Sequence, residues 1–269
     1  MKDVQSTQSF HPVEIERVGI KDLHYPVRIL KKDNSHQSTI ADIYVSVSLP
    51  ADQRGTHMSR FIEVIERYKH DVNGPNIQKM IKELSKIFDT TCAFVKVSFP
   101  YFIMKRAPVS RKSSIMEVKC GFSWELDKGE MIHDLFVEVP VTTLCPCSKE
   151  ISKYGAHNQR AYIKLEISPI GDAWIWFEDM VDLVENCASA PIYPLLKRKD
   201  EKFVTEQAYD NPRFVEDLIR EVYTKTLERY KKDISNIRIH VEADESIHTH
   251  KAFAYLEEEV NGRDSVENE

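Results

Sequence analysis

The chain has 269 residues, room for one large domain or two of ordinary size, and its 42% hydrophobic and 30% charged residues with only 8 Gly and 12 Pro exclude a disordered or collagen-like polypeptide. A formal net charge of -6 speaks against a general nucleic-acid binder, whose surface carries a basic excess, so an anionic substrate would need a local basic pocket.

Hydrophobic period sets out the elements in chain order. An extended piece at 26–30 precedes Ile43, Val45, Val47 and Leu49, which alternate with Tyr44, Ser46 and Ser48 as a half-buried strand does. Phe61, Ile62, Ile65 and Tyr68 recur at helical spacing, and after Asn73-Gly74-Pro75 so do Ile77, Met80, Ile81, Leu84 and Phe88. Alternation returns at Val95, Val97, Phe99 and Tyr101, then at Met116, Val118, Cys120 and Phe122, so this half reads ββααββ. The second half repeats the grammar. Leu135, Val137, Val139 and Val141 alternate, as do residues 162–167; one helix carries Trp176, Met180, Leu183, Val184 and Cys187, another Phe214, Leu218, Ile219, Val222 and Leu227. Strands at Ile237, Ile239, Val241 and at 252–256 close it. The expectation is an α+β chain of two similar modules, 1–128 and 129–258, each with an antiparallel sheet and two helices, followed by an acidic tail at 259–269 that is expected to be disordered.

No apolar run approaches the ~20 residues of a membrane span. The opening segment carries Asp3, His11, Glu14, Glu16 and Arg17 with no apolar stretch of a secretory signal, so the chain is expected to be cytoplasmic, with no membrane partner. Five cysteines, an odd number, argue against a disulfide framework and for reduced thiols.

Chemistry concentrates in one window, Cys145-Pro146-Cys147-Ser148-Lys149-Glu150, which runs through 151–156 to His157-Asn158-Gln159-Arg160 and joins two expected strands by a connection longer than a hairpin needs. Thiols two positions apart would close a strained ring, so they suit one ligand and one bystander. Cysteine with histidine suits zinc or a related transition metal, and a carboxylate completes many such sites. Further donors lie at 197–206 and in Glu245-Ser246-Ile247-His248-Thr249-His250; read as a strand, the latter puts His248 and His250 on one face. Against the functional reading, Cys92, Cys120 and Cys187 read as small buried hydrophobes, and His11, His24, His36, His57, His70, His133 and His240 as surface or satisfied histidines. Lys149, Lys153 and Arg160, with Lys197, Arg198, Lys199 and Lys202, form either a phosphate-binding group or a solvated charged face among Glu150, Asp200 and Glu201. Glu216 sits beside the apolar stripe of its helix, where its carboxylate either faces a pocket or flanks the helix in the ordinary way.

The strings DVQSTQ, VGIKDL, HMSRF, TTLCPCSKEISKYGAHNQR, YPLLKR, VTEQAY, NPRFVEDLIR and ESIHTHKAFA, in this order across nearly the whole chain, resemble type IB GTP cyclohydrolase I. The resemblance implies a tandem tunnelling fold (T-fold) of ββααββ modules and a homotetramer with active sites at module interfaces. It also implies a divalent metal, zinc, manganese or ferrous iron, with no organic cofactor, and conversion of GTP to 7,8-dihydroneopterin triphosphate and formate at the entry to tetrahydrofolate synthesis. It assigns the metal to Cys145, His157, Glu201 and His248, catalysis to Cys145, His157 and His248, and the guanine 2-amino and N3 positions to Glu216. Lys149, Arg160, Lys197 and Arg198 are the expected triphosphate contacts. Lys199 stands where the family commonly has proline, which loosens the placing of Glu201, and His250 could replace His248. Two other classes fit parts of the pattern: a nitrile reductase of the same fold, with a cysteine nucleophile and NADPH, and a non-catalytic module closing Cys145, Cys147, His157 and His248 around structural zinc.

Overall fold

The computed structural model describes residues 5, 7–171 and 173–260. It divides into two compact units, Met1–Pro100 with Gly121–Asp134 and Tyr101–Cys120 with Leu135–Glu269, each as far as its residues are described.

In the first unit, β1 (Ile15–Leu30) pairs antiparallel with β2 (His36–Leu49), and α1 (Met58–Tyr68) and α2 (Gly74–Phe88) follow. β1 begins well before the expected 26–30 because its early part hides its period. A register shift falls between Ile20 and Leu23, where Asp22 takes φ 57°, and most of the early residues are exposed. Gly19 lies so close to β2 that a Cβ there would stand 2.0 Å from the Val45 carbonyl oxygen. α2 starts as the Asn-Gly-Pro sequence suggests, with Asn73 Oδ1 accepting from the Asn76 N–H at 2.9 Å and Pro75 in the first turn. β2 pairs with β3 (Cys92–Arg106), then come β4 (Ser113–Asp127) and β5 (Glu130–Leu144), and these three strands contribute residues to both units. Ile43, Val45, Val47, Val95, Val97 and Phe99 turn inward with Phe61, Ile77, Ile81 and Leu84; burying each such side chain contributes roughly 1.5–3 kcal/mol.

The second unit is built on antiparallel β5, β6 (Asn158–Pro169), β8 (Ile234–Asp244) and β9 (Lys251–Glu259), with the two-residue β7 (Ala190–Pro191) on β5. Its helices are α3 (Pro146–Ile151), α4 (Phe177–Glu185), α5 (Arg198–Asp210) and α6 (Val215–Tyr230); α6 packs on β8 and β9, and α4 on β6 and α6. Val137, Val139, Val141, Ile163, Leu165, Ile239 and Val241 are buried with Met180, Val184, Leu218 and Val222. The intervening Glu138, Tyr162, Lys164, His240 and Glu242 form a polar opposite face, on which Lys164 pairs with Glu166 at 2.6 Å and Lys251 with Glu242 and Asp244. The sheet is thus an antiparallel α+β layer with helices on one face. β9 runs through Glu259, while the tail from 261 onward lies outside the described residues.

Of the cysteines read as core, Cys120 and Cys187 are buried, and burial pushes the Cys187 thiol up to about 12. Cys92 is only half-buried, because its sulfur reaches the Asp127 carboxylate at 2.9 Å instead of packing inward. His133 is stacked on Trp124 with ring centroids 4.2 Å apart.

α5 was not apparent from period, since RKDEKFVTEQAYD is polar nearly all round. It is fixed instead by Asp200, which is 0% exposed and accepts from the N–H groups of Val109 at 2.8 Å and Ser110 at 2.6 Å through Oδ1, and from Lys197 N–H at 2.9 Å through Oδ2. Burial alone would raise this carboxyl, but the bonds from Ser110, Lys197 and Val109 outweigh it and hold Asp200 well below the usual carboxylate range. A depressed carboxyl stabilises the fold above its unfolded value and loses that contribution as pH falls through the folded one. Asp200→Asn should therefore lower the thermal midpoint at neutral pH, with the gap to wild type narrowing once the pH passes below the ordinary Asp value of 3.8. Circular-dichroism melts across pH check this, and a gap that stays constant with pH would contradict it.

Candidate active site

The window 145–157 leaves β5 and returns as β6 with its ends tied together, since Leu144 is in register with Asn158 and the Cys145 N–H donates to the His157 carbonyl at 3.1 Å. Ser148 knots the interior: its hydroxyl donates to the Cys145 carbonyl at 3.1 Å and accepts from the His157 N–H at 3.2 Å. Pro146 opens α3, whose N-cap is Cys145 itself, the sulfur accepting from the Ser148 N–H at 3.4 Å. Gly155 takes φ +129°, a conformation in which a Cβ would be strained whatever the space around it. The loop is thereby specified by local hydrogen bonds, with Cys145 and His157 at its two feet.

A cavity of about 300 Å³ opens at these feet. Its lining combines Thr143, Cys145, His157 and Gln159 from β5 and β6, Arg213 to Glu216 at the start of α6, and Glu245, His248, His250 and Ala252 from the β8–β9 connection. α6 is held there by the Arg213 N–H, which donates to the Leu144 carbonyl at 3.0 Å, and by the Phe214 N–H, which donates to Asp217 Oδ2 at 3.0 Å.

One chain of bonds settles the chemistry of His157. Gln159 Nε2 lies 3.4 Å from Glu245 Oε1, and a carboxylate can only accept, so this end of the amide is the donor. Gln159 Oε1 then faces His157 Nδ1 at 3.0 Å and selects the Nδ1–H tautomer, in which the neutral ring keeps the lone pair on Nε2. The amide thereby does for His157 what a carboxylate or carbonyl does for many catalytic imidazoles.

Of the expected site residues, the fold brings together Cys145, His157, His248 and Glu216. His248 and His250 lie in the turn before β9, not on a strand, yet both line the cavity, their rings stacked with centroids 5.0 Å apart. The other expected residues are elsewhere. Glu201 is exposed on α5, one residue after the buried Asp200. Lys149 is engaged by Tyr209, donating to its carbonyl with Nζ 4.3 Å from the ring centroid. Lys197 and Arg198 are exposed at the start of α5, and exposed Arg160 alternates with Gln159 and so leaves β6 by the opposite face. Cys147 is exposed outside the lining, as a bystander would be. The cavity supplies a thiol and imidazoles, the donor types zinc prefers. Among the described residues, however, no group of three or more His, Cys, Asp or Glu side chains is placed to hold a metal ion. Sequence reasoning placed Glu245 in a window of further donors without a role and missed Thr143, Gln159 and Arg213, which stood inside quoted strings with nothing in their own spacing to mark them.

A thiol, three imidazoles and two carboxylates around one cavity at the end of a sheet are the equipment of an enzyme. A family model described as type I GTP cyclohydrolase folE2 matches residues 1–254. Proteins named GTP cyclohydrolase FolE2 are similar over nearly their whole length: that of Thermosipho africanus is 48% identical over 94% of this chain and 96% of its own, that of Thermotoga maritima 48% over 96% and 97%, and that of Syntrophotalea carbinolica 45% over 96% and 95%. The chain belongs to the type I GTP cyclohydrolase FolE2 family. Among solved structures, the uricase of Arthrobacter globiformis superposes with a TM-score of 0.58 over 92% of this chain and 94% of its own at 8% identity, a likeness of fold alone.

Replacing Gln159 by Leu should release His157 from a single tautomer while leaving the thermal midpoint nearly unchanged. Imidazole 15N shifts read this directly, and an undisturbed Nδ1–H signal would remove Gln159 from the role given above.

Proposed function

We propose that this chain hydrolyses and recloses GTP, yielding 7,8-dihydroneopterin triphosphate and formate, the first step of tetrahydrofolate biosynthesis. The observation that carries the proposal is one cavity joining Cys145, His157, His248 and Glu216 in a chain matched by its family over residues 1–254. One water adds to C8 and the C8–N9 bond opens; a second water releases C8 as formate. The ribose then rearranges to a ketone and condenses with the freed amine, losing one water, so the net consumption is one.

The chain's own groups suit these steps. His157, its Nδ1–H held by Gln159, presents Nε2 as the base for the attacking water, and His248 is placed to support the proton that N7 must gain. Glu216 accepts from guanine, and the donors it needs are N1–H and the 2-amino group; N3, named with the 2-amino group in the resemblance, offers only a lone pair and cannot pair with a carboxylate. Its position in the first turn of α6 also suits a negative charge. Zinc, manganese or ferrous iron belongs to the proposal with Cys145 as its donor from the cavity, since a ring nitrogen that takes a proton from water or gives one to N7 is not at the same time a metal ligand. As the described side chains stand they do not form its site, and no step is routed through it.

The tandem T-fold arrangement, the cytoplasmic setting and a homotetramer are part of the same reading. For the last, Ile151 at 86% and Tyr154 at 90% exposure on the Cys145 loop are apolar surface suited to cover by another chain.

Cys145→Ala should lower formate release at least about 100-fold with the circular-dichroism spectrum intact, and chelation should abolish turnover without unfolding. Glu216→Gln should raise the KM for GTP about 10- to 100-fold, the range set by a hydrogen bond to a charged group. Formate and pterin fluorescence are the readouts, and near-normal turnover by the Cys145 variant would refute the assignment.

A further inference from the structure

Two opposite charges line the cavity and neither is bonded to any described side chain. Among the described residues, exposed Glu216 has no hydrogen bond or ion pair, and the half-buried Arg213 side chain has none either, its Nε being enclosed without a partner. A second enclosed polar atom of the lining, Thr143 Oγ1, is also unpaired in a residue 1% exposed. Leaving a guanidinium nitrogen and a hydroxyl enclosed and unsatisfied is costly, and each such group calls for an explanation, whereas the Glu216 carboxylate is exposed and solvated. Two of these groups are fixed by backbone: the Arg213 N–H on the Leu144 carbonyl puts this residue beside both Thr143 and Cys145, while Glu216 follows in the first turn of α6.

On the reading of the site as a guanine pocket, on which this inference rests, the pattern is complementary to one base. Guanine presents two donors in a row, the 2-amino group and N1–H, followed by two acceptors, O6 and N7. Glu216 matches the donors. We propose that Arg213 is a specificity-determining residue whose guanidinium donates to O6 and N7 of the guanine ring, so that Glu216 and Arg213 together read the base from 2-amino to N7. A planar fork of N–H donors matches O6 and N7 bidentately, as it does when arginine reads guanine in a nucleic acid. The contact places positive charge beside N7, the atom that gains electron density when C8 is attacked. An adenine ring, with a donor at position 6 and no proton on N1, would meet both charges with the wrong polarity.

The test compares kcat/KM for GTP, 6-thioguanosine triphosphate and inosine triphosphate in wild type, Arg213→Met and Arg213→Lys. Wild type should lose rate when sulfur replaces O6 and, through Glu216, when the 2-amino group is absent. In Arg213→Met, kcat/KM for GTP should fall roughly 5- to 150-fold. The penalty for sulfur at position 6 should vanish, and that for the missing 2-amino group should persist. Arg213→Lys, which keeps the charge and loses the fork, should lie between, and it carries the test alone if the Met variant does not fold. A variant that keeps the full sulfur penalty overturns the proposal. So does one whose loss disappears when guanosine replaces GTP, because Arg213 would then serve the phosphates. Absence of any GTP turnover by metal-reconstituted wild type would refute the function instead, while equilibrium binding of GTP to the same variants would still report on Arg213.

Discussion

The backbone of Leu144 is the joint on which the site depends. The residue ends β5, is 3% exposed, and stands beyond the two-residue β7, so its outward amide and carbonyl have no further strand to pair with. Buried backbone groups must find partners. The N–H donates to the hydroxyl of Ser189, itself 0% exposed, at 3.1 Å, and the carbonyl accepts from the Arg213 N–H at 3.0 Å. Satisfying one strand end thus docks the segment after α4 and the start of α6 beside Cys145. That pairing adds a direct backbone link between the thiol and the Glu216 carboxylate, which come from parts of the chain far apart in sequence, to the packing of α6 on β8 and β9.

The electrostatics of the cavity follow from what each charged side chain already touches. Lys149 is taken up by Tyr209, and Lys197 and Arg198 stand in solvent at the start of α5, so the lysine-rich windows do not deliver their charge to the cavity lining. Glu245 accepts a hydrogen bond from the uncharged Gln159 amide, whose oxygen in turn faces His157 Nδ1. What remains uncommitted is Arg213 and Glu216, one of each sign. Such a lining favours a neutral heterocycle with a polar edge over a phosphate chain, even though the whole molecule carries a formal charge of -6.

How much of this could be read beforehand differs by element. The alternation at Ile43 to Leu49, or at Leu135 to Val141, is legible because a sheet with one covered face imposes a period of two on its residues. α1 and α2 are legible for the analogous reason, their apolar stripes facing a sheet. α3 and β7 are too short to show a period, and α5 has no apolar stripe, being held by one buried carboxylate. At that helix the polar window offered adjacent candidates, Asp200 and Glu201. The resemblance favoured the second, and burial falls on the first, because residue N3 of a helix is the one that can reach back to the N-cap. Cys145 and His157 announced themselves by residue type. Gln159 and Arg213 did not, since an amide or a guanidinium is common on any surface and acquires meaning only from the Glu245 carboxylate or the Leu144 carbonyl that meets it in the fold.

The cavity's precision therefore has a local source and a distant one. Locally, Ser148 and Gly155 fix the loop between Cys145 and His157 with hydrogen bonds and one unusual backbone angle, so these two residues are set before any partner arrives. At a distance, Leu144 and Glu245 connect that loop to α6 and to the turn before β9, so the remaining groups arrive on the ends of regular elements packed over a common sheet. Groups carried in this way lose little freedom when a substrate binds, which is the condition for orientation to contribute to rate. The feature of the lining left unbalanced is Arg213, whose Nε is enclosed without a partner while Glu216 lies exposed nearby. Self-neutralisation by a direct ion pair would have relieved it, but each is anchored by a different backbone position and neither meets the other. The framework holds the two charges apart in the manner required of a site whose binding partner, and not the protein itself, completes their hydrogen bonds.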